Sequence, residues 1–200
     1  MKMGDFLLRG TNVVILAKNH NPSIVTKEWL AQKEIIEEDI VNFTQTPIFS
    51  LVETANFNLI VDPNRLQISV KNVIPENIEN LPKITETYIT KLPETPYTAI
   101  GFNYSYRITM GGRSLKDIFS FDDKTLRKIF PNDYRLGVTV HFTFRDFVGS
   151  LNLQPPNEEL TANLNFHFGS KNSEEIKRRV EEYSELKKKA EEILEGLFNV

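Results

Sequence analysis

The chain has 200 residues, a formal net charge of −3 and no cysteine. A chain of this length buries roughly 70% of its unfolded surface, so it needs neither a disulfide nor a metal to fold. The lack of cysteine excludes disulfides, thiolate metal sites and cysteine nucleophiles. The acidic balance lacks the basic excess of a general phosphate-binding surface, so we expect no nucleic-acid partner. The sequence carries no cofactor-binding motif, so we expect no cofactor.

Nothing in the sequence predicts secretion or a membrane span. The amino-terminal stretch MKMGDFLLRGTNVVILAKN lacks the apolar core and the small-residue cleavage site of a signal peptide. No window approaches the roughly 18 apolar residues of a spanning helix. We therefore expect a cytoplasmic protein with no membrane partner, folded as a single α+β domain over 1–200.

The first half of the chain predicts a strand, a helix and a strand meander. Residues 12–18 are typical of a strand, and 26–36 of a helix with Thr26 as its N-cap. Residues 46–72 predict three strands, because Asp62-Pro63-Asn64-Arg65 is a strong turn signal and a second turn fits at Thr54-Ala55. The cross-strand pairs that follow from these two turns are Val61/Leu66, Leu59/Ile68, Phe57/Val70 and Val52/Phe57.

A helix over 76–91 and a strand over 97–110 follow. Two short helices are predicted at 114–119 and 122–129, with Ser114 and Ser120 as possible N-caps. The next segments, 135–148 and 159–168, each alternate apolar and polar residues and predict two strands.

The last element is a helix over 173–198, capped by Ser173, whose apolar residues follow the helical period. Its Lys/Arg residues alternate with Glu, which is typical of a solvated helix face. We predict an α+β fold: a mainly antiparallel sheet of about six to seven strands with this long C-terminal helix packed on one face.

Side-chain parity in the three late strands predicts a polar sheet face. Alternate residues point to opposite faces, so the even-numbered residues of 97–110, 135–148 and 159–168 form an apolar set and the odd-numbered residues a polar set. If the three strands share one antiparallel sheet, the polar sets form one surface rich in Asn, Thr, Ser, His and Arg and poor in Lys and Glu. The candidate partner- or ligand-binding residues on that surface are Asn103, Arg107, His141, Arg145, Asn163 and His167.

No catalytic or metal-binding motif is present in the sequence. There is no G-x-S-x-G elbow, no H-E-x-x-H motif and no dinucleotide fingerprint. Gly111-Gly112-Arg113-Ser114 lacks the ending of a phosphate loop and predicts a strand-to-helix turn. His141 and His167 supply at most two of the four ligands that zinc requires, and His20, beside Asn21-Pro22, is expected to be exposed.

The segment from FNLIVDPNRLQISV to TAIGFNYSYRIT resembles an uncharacterised group of prokaryotic proteins. In that group a strand pair, a helix and a strand with a GLRY-N-R-I-like pattern follow one another, and the matching residues here are Gly101, Asn103, Tyr104, Arg107 and Ile108. The resemblance implies no activity. The element order is also similar to the helix-grip arrangement, in which a sheet wraps a terminal helix, although 76–91 and 114–129 interrupt it.

Three functions remain open at this level. The leading hypothesis is a non-enzymatic interaction or assembly protein that self-associates, as a homodimer for example, or binds a protein partner. The alternative is a small-ligand binding cup under the terminal helix, lined by Tyr104, Tyr106, Phe142 and Phe166. A hydrolase with His141 or His167 as general base is the third.

Overall fold

A computed structural model describes residues 5–110, 115–154 and 159–198. Its described strands form one antiparallel sheet of nine strands in the order β2-β3-β4-β5-β1-β6-β9-β8-β7. The α+β class and the antiparallel sheet are confirmed, whereas the predicted strand number was too low. The strands are β1 Asp5–Ala17, β2 Asn42–Thr46, β3 Phe49–Glu53, β4 Phe57–Asp62, β5 Arg65–Val70, β6 Tyr97–Thr109, β7 Val138–Phe144, β8 Phe147–Gln154 and β9 Leu160–Gly169.

The described helices pack on one face of this sheet or beside it. Two short 3₁₀ turns accompany them, Pro22–Ile24 before the first helix and Val180–Glu182 within the terminal helical segment. The helices are α1 Lys27–Gln32, α2 Pro75–Lys91, α3 Leu115–Ile118, α4 Asp123–Ile129, α5 Ser173–Arg179 and α6 Tyr183–Phe198.

The predicted β4–β5 hairpin is confirmed, with Val61 opposite Leu66 and Phe57 opposite Val70. The register of the preceding turn was wrong by two residues, because Val52 lies opposite Leu59. Thr54 explains the longer turn: its hydroxyl accepts hydrogen bonds from the main-chain N–H groups of Asn56 and Phe57, at 3.2 and 2.9 Å. A shift of two residues preserves side-chain parity, so the apolar face is unchanged.

Two strands account for the difference in number. β2 lies at one edge of the sheet and was not predicted. Segment 135–148 was predicted as one strand, but it contains β7, a turn at Arg145 and Asp146, and the start of β8. Asp146 is a common turn residue, but the turn contains no Gly, Pro or Asn, so its signal in the sequence is weak.

Helix ends differ from the predictions where a different side chain provides the cap. Thr26 caps α1 as predicted, accepting from the N–H of Trp29 at 3.1 Å. Asp122, rather than Ser120, caps α4, and Asn172, rather than Ser173, caps α5. The predicted cap Ser114, with the turn 111–114, lies outside the described residues.

The sheet has one buried face and one open face. The apolar residues of the central strands point to the helix side, where Ile15, Leu59, Ile68 and Phe102 are fully buried. α2 contacts β5 and β1, while α5 and α6 contact β6. The terminal helical segment therefore packs on one face of the sheet, as predicted, and the opposite face is left for other contacts.

Candidate functional site

The parity prediction is confirmed for β6 and β9. Their even-numbered residues, such as Tyr104 and Phe166, are buried on the helix side. The odd-numbered residues from Asn103 onward in β6 and those of β9, such as His167, are partly or fully exposed on the opposite side, whereas Tyr97, Ala99 and Gly101 at the start of β6 are buried. We call this second side the open face.

One row of polar residues crosses the open face through all nine described strands. Each member lies directly opposite the next on the neighbouring strand, so the row follows from the strand registers. We call it the polar row; from edge to edge it consists of Asn42, Glu53, Asn58, Ser69, Asn12, Asn103, Asn165, Ser150 and His141.

Side-chain amides are connected at the centre of the polar row. Asn165 donates a hydrogen bond of 2.8 Å to the Oδ1 of Asn103, and Asn103 donates one of 2.8 Å to the Oδ1 of Asn12. Beside the row, Ser105 donates to Asn163 at 2.8 Å. Each central amide thus holds its neighbour in a fixed orientation, and the remaining donors and acceptors are available to a bound surface.

This part of the open face is a shallow concavity of about 370 Å³. Five asparagines and three serines line it, and none of its lining residues is an acid or a base. Neutral amides and hydroxyls both donate and accept hydrogen bonds, but they do not attract a charged ligand as an ion pair would. The concavity therefore suits an uncharged hydrogen-bonding surface.

The structure places five of the six predicted site residues on the open face. Asn103 and His141 belong to the polar row, and Asn163 lies at the concavity. His167 is exposed on β9. Arg107 lies toward one end of β6, where its guanidinium is 3.4 Å from the carboxylate of Glu159.

The sixth residue, Arg145, was misplaced. It lies in the β7–β8 turn with a φ of 51°, and its guanidinium donates two hydrogen bonds to Glu185 of α6, at 2.7 and 2.5 Å. It therefore reaches toward the helices and not across the open face.

Sequence reasoning missed three important contributors to the concavity, Asn12, Ser150 and Asn152. Asn12 is the first residue of the predicted strand 12–18, whose parity was not followed. Ser150 and Asn152 alternate with apolar residues in β8, FVGSLNLQ, so the same alternation identifies them once the strand is recognised.

The expectation that His20 is exposed was wrong, since only 2% of its surface is accessible. Its main-chain N–H donates to the carbonyl of Pro63 at 2.8 Å, and its ring lies 6.0 Å from that of Tyr97. The ring's Nε2 is 3.2 Å from the Ile15 carbonyl. Burial lowers the pKa of His20, and the hydrogen bond to Ile15 offsets this only in part.

The described residues do not assemble a general-base site around the two strand histidines. His141 lies opposite Ser150, yet no hydrogen bond links them, and neither His141 nor His167 pairs with a carboxylate within the described ranges. In the same part of the chain, no group of three or more His, Asp or Glu residues is placed to hold a metal.

Three of the four rings predicted to line an internal cup contact one another instead. The ring of Tyr104 lies 6.2 Å from that of Phe166, and Phe166 lies 5.6 Å from Phe142. Tyr104 also lies 5.5 Å from Tyr183 of α6. These rings fill space between the sheet and the terminal helix.

None of the helices in the described ranges is long and apolar enough to cross a membrane. Among known proteins, no family model matches the sequence, and no curated protein matches it.

Proposed function

We propose that this protein is a non-enzymatic assembly protein that recognises another protein through the open face of its sheet. The observation that carries the proposal is the uncharged concavity lined by asparagines and serines. Charged residues are depleted at the cores of protein interfaces, and neutral polar groups that are already oriented lose little entropy on binding.

The hydrogen bonds along the polar row support this function over the two alternatives. Asn103 is held by Asn12 on one side and Asn165 on the other, so the surface is organised before a partner arrives. A hydrolase needs a base beside its nucleophile, and no Asp, Glu, His, Lys or Arg lines the concavity. A cup under the terminal helix needs space that the packed rings of Tyr104 and Phe166 occupy.

Site-specific photo-crosslinking in cells of the native host tests the proposal. A photo-reactive residue at Asn163 should give a discrete crosslinked protein product, because Asn163 lies exposed beside the concavity. The matched control is the same residue at Glu195, which is exposed on α6. Equal product patterns from both positions, or no product from either, would contradict an interaction through the open face.

A charge substitution provides a second test. Asn163→Lys introduces a cation into a neutral surface and should greatly reduce the crosslinking from a photo-reactive residue at Ser105, its neighbour on β6. Glu195→Lys should leave that crosslinking unchanged. Both variants should keep the wild-type far-UV circular dichroism spectrum, since both positions are exposed.

A further inference from the structure

The outer edge of β7 has main-chain groups that no other described strand pairs. β7 is the last strand of the sheet and pairs only with β8 among the described strands. The turn between them has two residues, so Phe144 and Phe147 form the closing hydrogen-bonded pair and alternate residues of β7 bond to β8. The N–H and C=O groups of Thr139, His141 and Thr143 therefore point outward.

Among the residues that the structure describes, this edge lacks the usual protection against strand addition. Natural sheets blunt their edges with lysine, proline, bulges or covering segments, and the β7 sequence VTVHFTF contains no lysine, proline or acidic residue. Its register with β8 is regular throughout. The opposite edge strand, β2, is shorter, and its Gln45 donates hydrogen bonds to the carbonyls of Pro22 and Ser23 in the adjacent 3₁₀ turn.

The residue order of β7 is symmetric about His141. Thr139 and Thr143 lie two residues before and after it, and every even position holds Val or Phe. Antiparallel pairing of two copies about His141 therefore places threonine opposite threonine and valine opposite phenylalanine, both favourable cross-strand pairs. We propose that the occupant of this edge is the β7 strand of a second copy, paired antiparallel about a two-fold axis at His141.

The geometry of such a pair is self-consistent. The outward groups of Thr139, His141 and Thr143 match the same groups of the second copy and form about six inter-strand hydrogen bonds. A two-fold axis perpendicular to the sheet joins two sheets into one and keeps both open faces on the same side. The inference goes beyond the proposed function, because it uses the sheet edge; the open faces, now side by side, stay free for another protein.

A charge-complementation experiment tests the two-fold axis, because only the residue on the axis faces its own copy. His141→Glu and His141→Lys each place like charges opposite one another and should raise the dissociation constant of the dimer about tenfold or more, measured by sedimentation velocity. An equimolar mixture of the two variants should restore the dimer. The matched controls, His167→Glu and His167→Lys, change an exposed histidine of the same face on β9 and should leave the dimer intact.

Thr143→Pro tests the main-chain contribution. It removes one outward N–H group, a change that edge strands tolerate, and should give a folded monomer with a wild-type circular dichroism spectrum. A wild-type chain that stays monomeric as its concentration rises would overturn the proposal. A dimer that survives both His141 charge variants would also overturn it. Neither result affects the crosslinking test at Asn163, so failure of the edge dimer is distinguishable from failure of the open-face function.

Discussion

The hydroxyl of Tyr104 donates a hydrogen bond of 2.7 Å to the main-chain carbonyl of Tyr183. This contact joins the central strand β6 to the first residue of α6, just after the 3₁₀ turn Val180–Glu182. Next to it, the hydroxyls of Tyr183 and Thr11 lie 2.8 Å apart. Burial raises the pKa of Tyr183 to about 12, so that hydroxyl stays protonated at neutral pH. The terminal helix is thus positioned over the sheet by polar contacts inside an apolar core.

We expect Tyr104→Phe to lower the free energy of unfolding by about 1 kcal/mol, because it leaves the buried Tyr183 carbonyl without this partner. Urea denaturation measures the change. The matched control is Tyr88→Phe: the Tyr88 hydroxyl is buried with no hydrogen-bond partner in the described structure, so its removal should be neutral or stabilising. Equal losses in the two variants would show that the hydrogen bond to Tyr183 contributes nothing.

The β7–β8 turn allows the effect of backbone conformation to be separated from that of a side chain. Arg145 has a φ of 51°, a region that disfavours residues with a Cβ. Its ion pair with Glu185 is about half exposed, with 51% and 49% of the two side chains accessible, so we expect Arg145→Ala to cost about 0.5 to 1 kcal/mol. Arg145→Gly loses the same contacts but relieves the backbone, so it should be about 1 kcal/mol more stable than Arg145→Ala.

Chemical denaturation of the two Arg145 variants checks this prediction. In an ordinary strand position glycine is less stable than alanine, so the expected order is the reverse of the usual one. Glu185→Ala is the control for the ion pair, since it removes the carboxylate without changing the turn. If Arg145→Ala unfolds at a higher urea concentration than Arg145→Gly, backbone strain at this turn is not significant.

Much of the open face was predictable from local alternation. The odd-numbered residues of β6 and β9 are polar without exception between Asn103 and Arg107 and between Thr161 and His167, and sheet parity then assigns them to one side. The β4–β5 pairs were also predictable, because Pro63 and Asn64 mark the turn between them.

What could not be predicted depends on contacts between distant segments. The turn at Arg145 has only a weak local signal, Asp146, and the partner that stabilises its side chain, Glu185, is forty residues away. His20 is buried because the β4–β5 turn, at Pro63, and the start of β6, at Tyr97, meet around it. The polar row depends on the eight registers between its nine strands, so Asn12 and Ser150 become its members only when the strand order is known.

His20 makes the stability of this protein depend on pH. Burial lowers its pKa in the folded state, so over the range between that value and about 6.5 the unfolded chain binds the proton more readily. Stability from this group is complete above about pH 6.5 and is lost as the pH falls through that range. His20→Gln keeps an N–H donor for the Ile15 carbonyl but does not titrate. As the pH falls, the wild-type protein should therefore lose free energy of unfolding relative to the variant.

The measurement is the free energy of unfolding of both proteins across pH 7 to 5, since carboxylates that titrate at lower pH contribute equally to both and cancel in the difference. A difference that stays constant over this range would mean that the folded protein accommodates the His20 charge. If the wild-type protein instead gains free energy of unfolding relative to the variant as the pH falls, protonated His20 stabilises the folded state.

Gly149 is required by an aromatic ring on the neighbouring strand. It lies opposite Phe142 on one side and Phe166 on the other, and the Phe142 ring crosses over it to contact Phe166 edge-on, with 5.6 Å between ring centres. A Cβ at position 149 would lie much closer to the Phe142 ring atoms than van der Waals contact allows. We expect Gly149→Ala to displace this ring and lower the free energy of unfolding by about 1 to 3 kcal/mol.

Phe142→Leu should reduce the cost of Gly149→Ala, because the smaller side chain leaves room for the new methyl group. A double-mutant cycle by urea denaturation measures this coupling directly. Gly10→Ala is the matched control: it also lies in a strand, and a Cβ there meets nothing within 4 Å, so it should change stability by less than about 0.5 kcal/mol. Additive effects of Gly149→Ala and Phe142→Leu would mean that the Phe142 ring is not the cause of the cost at position 149. Because β7 provides the edge on which the proposed dimer depends, strong coupling also predicts that Gly149→Ala weakens self-association.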